Sequence, residues 1–208
     1  MEVADGLGVH KLACTKRSYA YFVPGAVPVL VDTGLPGRGP AILQECESLG
    51  GPPAHIVITH YDVDHIGSAA WLQEATGATV WVSAEDAPYI AGERRRPGMK
   101  RVVASLVRPA PPKAPRLLRA GDAVGPLTAV PTPGHTPGHL AFYGAGFAAV
   151  GDALTVRGGR PVPMAGLLTW NSAQAAQSVA KLRAAGARWI LPAHAEPFWW
   201  DGSRISSV

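Results

Sequence analysis

The sequence predicts a mixed α/β fold in which two sheets pack face to face with helices outside. Three observations predict it. Short β-favouring segments and helical patterns follow one another in the order strands, helices, strands, helix, strand. Glycine (24) and proline (20) punctuate the 208 residues with tight turns. Apolar residues make up 47% of the chain, enough for a substantial core, and one domain over 1–208 is expected. No repeat at the level of sequence marks the two halves.

Taken in order, Ser18 to Val23 and Val27 to Val31 read as strands joined at Pro24-Gly25, and Asp32-Thr33-Gly34 turns the chain after the second. Pro40 to Leu49 reads as a helix stopped by Gly50. Ala54 to Thr59 is a buried strand that ends at His60. Ile66, Ala69, Ala70 and Leu72 then fall on one helical face, closed by Gly77, and Thr79 to Val82 is a further strand. Leu127 to Pro131, His139 to Tyr143 and Phe147 to Val150 open a second strand-rich half. Asn171 to Ala185 is a helix with Asn171 as N-cap, Gln174 at the capping-box position and Gly186 as its stop. Trp189 to Pro192 is the last strand, just before His194.

Composition excludes several classes. No apolar run is long enough for a membrane helix, and MEVADGLGVHKLACTKR lacks the apolar segment of a signal peptide, so a cytoplasmic protein is expected. A net charge of +4 is too modest to imply nucleic acid binding. Cys14 and Cys46 lie far apart in sequence and make neither a disulfide framework nor a cysteine zinc site. Glu93 to Arg119 stands apart: Arg94, Arg95, Arg96, Lys100, Arg101, Arg108, Lys113, Arg116 and Arg119 fall in it, against one acid, Glu93. It reads either as a solvated surface excursion or as a lid or anion-binding patch beside a site.

Chemistry concentrates at strand ends. Thr59 to Gly67, T-H-Y-D-V-D-H-I-G, presents His60, Asp62, Asp64 and His65 within six residues, close enough to hold two cations. Taken structurally, Asp64 would be a helix cap and His65 a first-turn residue. Thr132 to His139, T-P-G-H-T-P-G-H, fixes His135 between two Pro-Gly turns, while His139 reads as a strand or supporting residue. A-V-G-D-A places Asp152 after an apolar strand, and I-L-P-A-H places His194 after another. Each of the last two is weak alone.

Together these motifs resemble the metallo-β-lactamase superfamily: V-D-T-G from Val31, H-x-D-x-D-H from His60, G-H-T-P-G-H, G-D and the final P-A-H. The resemblance runs from about Tyr19 to His194. It implies a four-layer αββα sandwich of two mixed sheets with the site along one rim. It further implies two divalent cations, zinc first with manganese or iron possible. His60, Asp62 and His135 would hold one; Asp64, His65 and His194 would hold the other; Asp152 would bridge them. Asp32 and His139 would support the ligands, and Asp64 would also orient a proton. Such a pair holds a shared hydroxide at neutral pH and polarises an acyl or phosphoryl oxygen.

The superfamily usually has His where this chain has Asp62. Asp62 is expected to ligate the first metal and to harden that site; the rival arrangement swings Asp62 out beside a single metal. Asp at position 152 resembles glyoxalase II-like enzymes, lactonases and phosphodiesterases, and the chain ends soon after His194, without the helical region that holds glutathione in glyoxalase II. The resulting expectation is a hydrolase of a small-molecule ester, thioester or lactone. A phosphodiesterase, an iron-dependent oxidoreductase or dioxygenase, and a non-catalytic metal-binding protein are the alternatives. Trp170, Phe198, Trp199 and Trp200 could line an apolar pocket, fill the core or form a homodimer contact.

Overall fold

A computed structural model describes residues 1–4, 6–164, 166–201 and 205–207. The first half carries β1 (His10–Lys11), β2 (Tyr21–Val23), β3 (Val29–Val31), α1 (Gly39–Ser48), β4 (His55–Val57), α2 (Val63–Ile66), α3 (Ala69–Thr76), β5 (Thr79–Ser83), α4 (Ala87–Ala91), α5 (Lys100–Leu106) and β6 (Arg116–Leu118). The second carries β7 (Ala123–Val124), β8 (Leu127–Pro131), β9 (Leu140–Tyr143), β10 (Phe147–Gly151), β11 (Leu154–Arg157), β12 (Arg160–Pro163), α6 (Ser172–Ala184), β13 (Trp189–Pro192), β14 (Phe198–Trp200) and β15 (Ile205–Ser207). One sheet has the order β1-β2-β3-β4-β5-β6, the other β15-β14-β13-β10-β9-β8-β7, and β11-β12 is a separate hairpin. Both large sheets are mixed: β3, β4, β5 and β6 run parallel, as do β10 and β13.

The alternation of side chains along each strand builds the layers. Tyr21, Val23, Val29, Val31 and Val57 of the first sheet meet Leu127, Ala129, Leu140, Phe142, Ala149 and Leu191 of the second in one buried cluster. The intervening residues Phe22, Leu30, Ile56, Val80 and Val82 point the other way, onto Ile42 and Cys46 of α1 and Ala69 and Leu72 of α3. Ala141, Ala148, Val150 and Ile190 likewise turn outward to Leu182 of α6. The four-layer αββα arrangement follows directly. At roughly 25 cal/mol per Å² of apolar surface removed from water, the central cluster is the main cohesive element between the sheets.

The helix expected after Asp64 is two helices, α2 and α3, broken at Gly67-Ser68. Gly67 packs so tightly on the Leu35-Pro36 backbone that an added Cβ would sit 2.4 Å from Pro36 N, so this turn is pinned to the one after β3. The 93–119 excursion contains α5 and ends in β6. Cys14 and Cys46 are free thiols, the latter buried. Phe198 and Trp200 belong to the core beneath α6, whereas Trp199 is half-exposed and edges onto Trp189.

The loop carrying His135 is held from two sides. Gly134 has φ +137°, its carbonyl accepts from Asn171 N–H at 2.8 Å, and a Cβ there would lie 2.3 Å from Ala175 N. From the other side, buried Asp86 at the start of α4 accepts from Thr136 Oγ1 and Gly138 N, both at 2.7 Å. Burial, with Asp62 nearby, pushes the Asp86 carboxyl up to about 7. Asp86→Ala would strand both donors in the interior. It is expected to cost about 2–3 kcal/mol in urea unfolding with an unchanged m value; a loss below about 0.5 kcal/mol would show that the clamp is idle.

Candidate metal centre

Strand ends deliver the chemistry to one rim. His60 follows β4, Asp152 follows β10 and His194 follows β13, while the short turn into α2 presents Asp62, Asp64 and His65. All seven side chains singled out in the sequence meet there. Their donor atoms form three groups within 4.8 Å: His60, Asp62 and His135; His60, His65 and Asp152; Asp64, His65 and His194. Asp152 spans the cluster, with Oδ2 3.3 Å from His135 Nε2 and Oδ1 3.5 and 3.3 Å from His65 Nε2 and His194 Nε2.

His60, His65 and His194 are each aimed by a hydrogen bond from the far side of the ring, whereas His135 Nδ1 is buried without one. Asp32 Oδ2 lies 2.8 Å from His65 Nδ1, and the same carboxylate accepts from Thr59 N and Thr59 Oγ1, both at 2.8 Å. Asp32 can do this because it adopts φ +61° at the end of β3, a conformation that Asp tolerates better than most residues. Having donated to Asp32, the Thr59 hydroxyl accepts from His60 Nδ1 at 3.0 Å, leaving His60 Nε2 to face the cluster. His194 Nδ1 bonds the Arg17 carbonyl. His139 stands behind the cluster: Thr132 Oγ1 is 2.8 Å from its Nδ1, and its Nε2 accepts the backbone N–H of Asp152 at 3.1 Å. It steadies the Asp152 backbone and contributes no atom to the three groups.

The electrostatics are those of a cation site. Burial raises the Asp152 carboxyl, but His65, His194 and His135 around it win, and it is held well below the carboxylate range. Burial opposes charge on His65 and His194 too; Asp32, Asp64 and Asp152 push the first up to about 9, and Asp152 with Asp64 pushes the second up to about 11. His60 goes the other way, driven well down by burial and by His65, so its Nε2 is a free lone pair. That atom and Asp152 Oδ1 are buried without a hydrogen-bond partner. Two buried atoms without a hydrogen bond, converging among carboxylates and imidazoles, fit a divalent cation of borderline character.

One group in the cluster was read differently from the sequence. Lys100, counted there among the basic residues of the excursion, is buried, pairs with Asp62 Oδ2 and lies 2.8 Å from His135 Nε2. Asp62 is therefore turned inward, and its partner is a lysine. Nothing in the spacing of a Pro- and Arg-rich stretch singles out one lysine from eight other bases. Asp86 was also missed; a cap position ahead of Ala87-Pro88 carries no sign that its carboxylate reaches a distant loop. Trp170 lies beside the centre, its N–H bonded to the His135 carbonyl at 3.2 Å, whereas Phe198 and Trp200 do not. His10 and His55 sit in β1 and β4, away from the cluster.

Residues 16–194 match the metallo-beta-lactamase superfamily. The chain is 34% identical over 163 residues to the uncharacterized protein YobT of Bacillus subtilis, covering 72% of this chain and 70% of that one. It is 32% identical over 196 residues to a hydroxyacylglutathione hydrolase of Rhodospirillum rubrum, covering 89% of this chain and 64% of that relative's length. Among solved structures, TTHA1623 in a di-iron-bound form superposes with a TM-score of 0.72 at 29% identity, covering 88% of this chain and 89% of that one. No helix among the described residues is long and apolar enough to cross a membrane. Motifs, layers and likeness agree, and the chain belongs to the metallo-beta-lactamase superfamily.

Proposed function

We propose that the protein is a metal-dependent hydrolase of a small-molecule ester, thioester or lactone, with an acyl thioester the first class to test. The observation that carries this is the convergence of seven acid and imidazole groups in which His60 Nε2 and Asp152 Oδ1 are buried without a hydrogen bond. The likeness to a hydroxyacylglutathione hydrolase, named for an acylated thiol, supports the choice of bond. A divalent cation held there supplies a water ionised near pH 7, against about 15.7 in bulk, and polarises an acyl oxygen. Zinc is the first candidate, with manganese and iron beside it; the di-iron form of TTHA1623 makes iron worth measuring.

The remaining roles belong to the chain. His60 and His65 have no side-chain exposure and Asp152 has 7%, whereas Asp64 and His194 are each 28% exposed. Substrate therefore enters over Asp64 and His194. Asp64 Oδ2, 3.2 Å from His194 Nε2, is the carboxylate placed to pass a proton to the leaving group. Beside the centre, Arg94, Arg95, Arg96, Arg101 and Arg108 line a cavity of about 380 Å³ together with Ile66 and Tyr89. It adjoins the ligand turn, since Ile66 follows His65 in sequence and the Tyr89 ring packs on Tyr61 at 5.0 Å. Five guanidinium groups there suit a carboxylate or phosphate on the substrate, the anion-binding reading of the excursion.

Chelation of the purified protein is expected to abolish hydrolysis, and zinc, manganese or iron to restore it; thioester, lactone and phosphodiester substrates assayed on one sample rank the bonds. An unchanged rate after complete removal of metal would sink the proposal. Asp32→Ala should weaken metal binding about 10–100-fold in competition with a chromophoric chelator, because His65 loses the group that aims it. Replacing Arg96 and Arg101 together by Ala should raise KM for an anionic substrate about five- to tenfold at nearly constant kcat. That difference should shrink in high salt, and equal losses for neutral and anionic substrates would contradict it.

A further inference from the structure

Asp62 is where this chain departs from the superfamily pattern, and Lys100 is what lies against it. The ammonium pairs with Asp62 Oδ2 and stands 2.8 Å from His135 Nε2. An ammonium has three donors and no acceptor, so in that contact the imidazole nitrogen can only accept, and the same nitrogen also lies 3.0 Å from Asp62 Oδ2. Both residues belong to the first donor group, His60, Asp62 and His135. Lys100 opens α5 and is only 4% exposed. With Pro97, Gly98, Leu168 and Trp170 it lines a small cavity, and its Nζ sits 5.3 Å from the centre of the Tyr61 ring. A long, strongly hydrated side chain is buried this way only when its charge is matched.

The match depends on Asp62. A His at that position would leave a buried ammonium facing neutral imidazoles; Asp62 makes the pair neutral. A dication on the same group would have to share Asp62 Oδ2 and His135 Nε2 with the ammonium. Like charges that close, out of bulk water, repel too strongly for both to stay.

We propose that Lys100 takes the place of the first cation, leaving a centre that holds one metal ion on Asp64, His65, Asp152 and His194 beside a fixed ammonium on Asp62 and His135. This rests on the metal-dependent hydrolase reading and replaces its expected pair of cations by one. His60 remains within reach of the metal's side of the cluster, grouped with His65 and Asp152 within 4.8 Å.

Metal content decides the matter. Wild-type protein and Lys100→Met, each saturated with manganese or zinc and then desalted, are compared by elemental analysis and, for manganese, by electron paramagnetic resonance. The expected result is one ion per wild-type chain with the spectrum of an isolated manganese. Lys100→Met should take up two, with an exchange-coupled spectrum, because its first donor group is released. Two ions in the wild type overturn the proposal, as does one ion in both proteins, since the lysine would not then be what excludes the second. Should the variant fail to fold, anomalous scattering from metal-soaked wild-type crystals decides. A single peak beside Asp64 and His194 supports the proposal, and a peak among His60, Asp62 and His135 overturns it. A wild type that takes up no metal overturns the hydrolase reading and this inference together, an outcome distinct from the others.

Discussion

Asp62, Asp64 and Asp152 converge at one rim of the sandwich, and the fold must bring positive charge to them or lose the arrangement. Three carboxylates in a partly buried site repel one another strongly in a medium of low effective dielectric. The structure meets them with two imidazoles, His65 and His194, driven toward the charged form by Asp32, Asp64 and Asp152, and with a lysine carried in from the surface excursion. Everything that shapes the rim, from the αL turn at Asp32 to the clamp at Asp86, serves to keep that balance of charge in register.

The sequence made the fold readable because its strands are short β-favouring apolar runs and its turns carry Pro and Gly. Leu127–Pro131 and Trp189–Pro192 fall where the pattern places them, and α6 begins at its Asn171 cap, whose side chain accepts from Gln174 N. Elements without such signals were not readable. β1 and β7 are two residues each and show no alternation, and the β11-β12 hairpin passes through Arg and Pro residues that argue against strands. The break between α2 and α3 depends on contact with the Leu35-Pro36 backbone, which no local pattern reports.

The site divides in the same way. His60, Asp64, His65, His135, Asp152 and His194 announce themselves because reactive side chains sit just past apolar strands, in short motifs of known order. Asp62 was visible as an irregularity, but its partner was not. Lys100 lies 38 positions away in a stretch whose composition reads as solvated surface, and only the path of the chain over the rim brings it in. Long-range pairing between the first residue of one helix and the cap of another leaves no periodicity to find.

The strand pair β10-β13 has a consequence for any cation held at the rim. Asp152 and His194 hang from the same ends of two adjacent parallel strands, whose register shifts by a bulge between Ala149 and Gly151. The gap between these two side chains is thus set by local twist, and twist is set by how Ala148 and Ile190 pack beneath α6. The ionic radius and coordination that such a site would accept are in this sense governed from the hydrophobic interior. Selection among zinc, manganese and iron could drift through substitutions that never touch the inorganic ion.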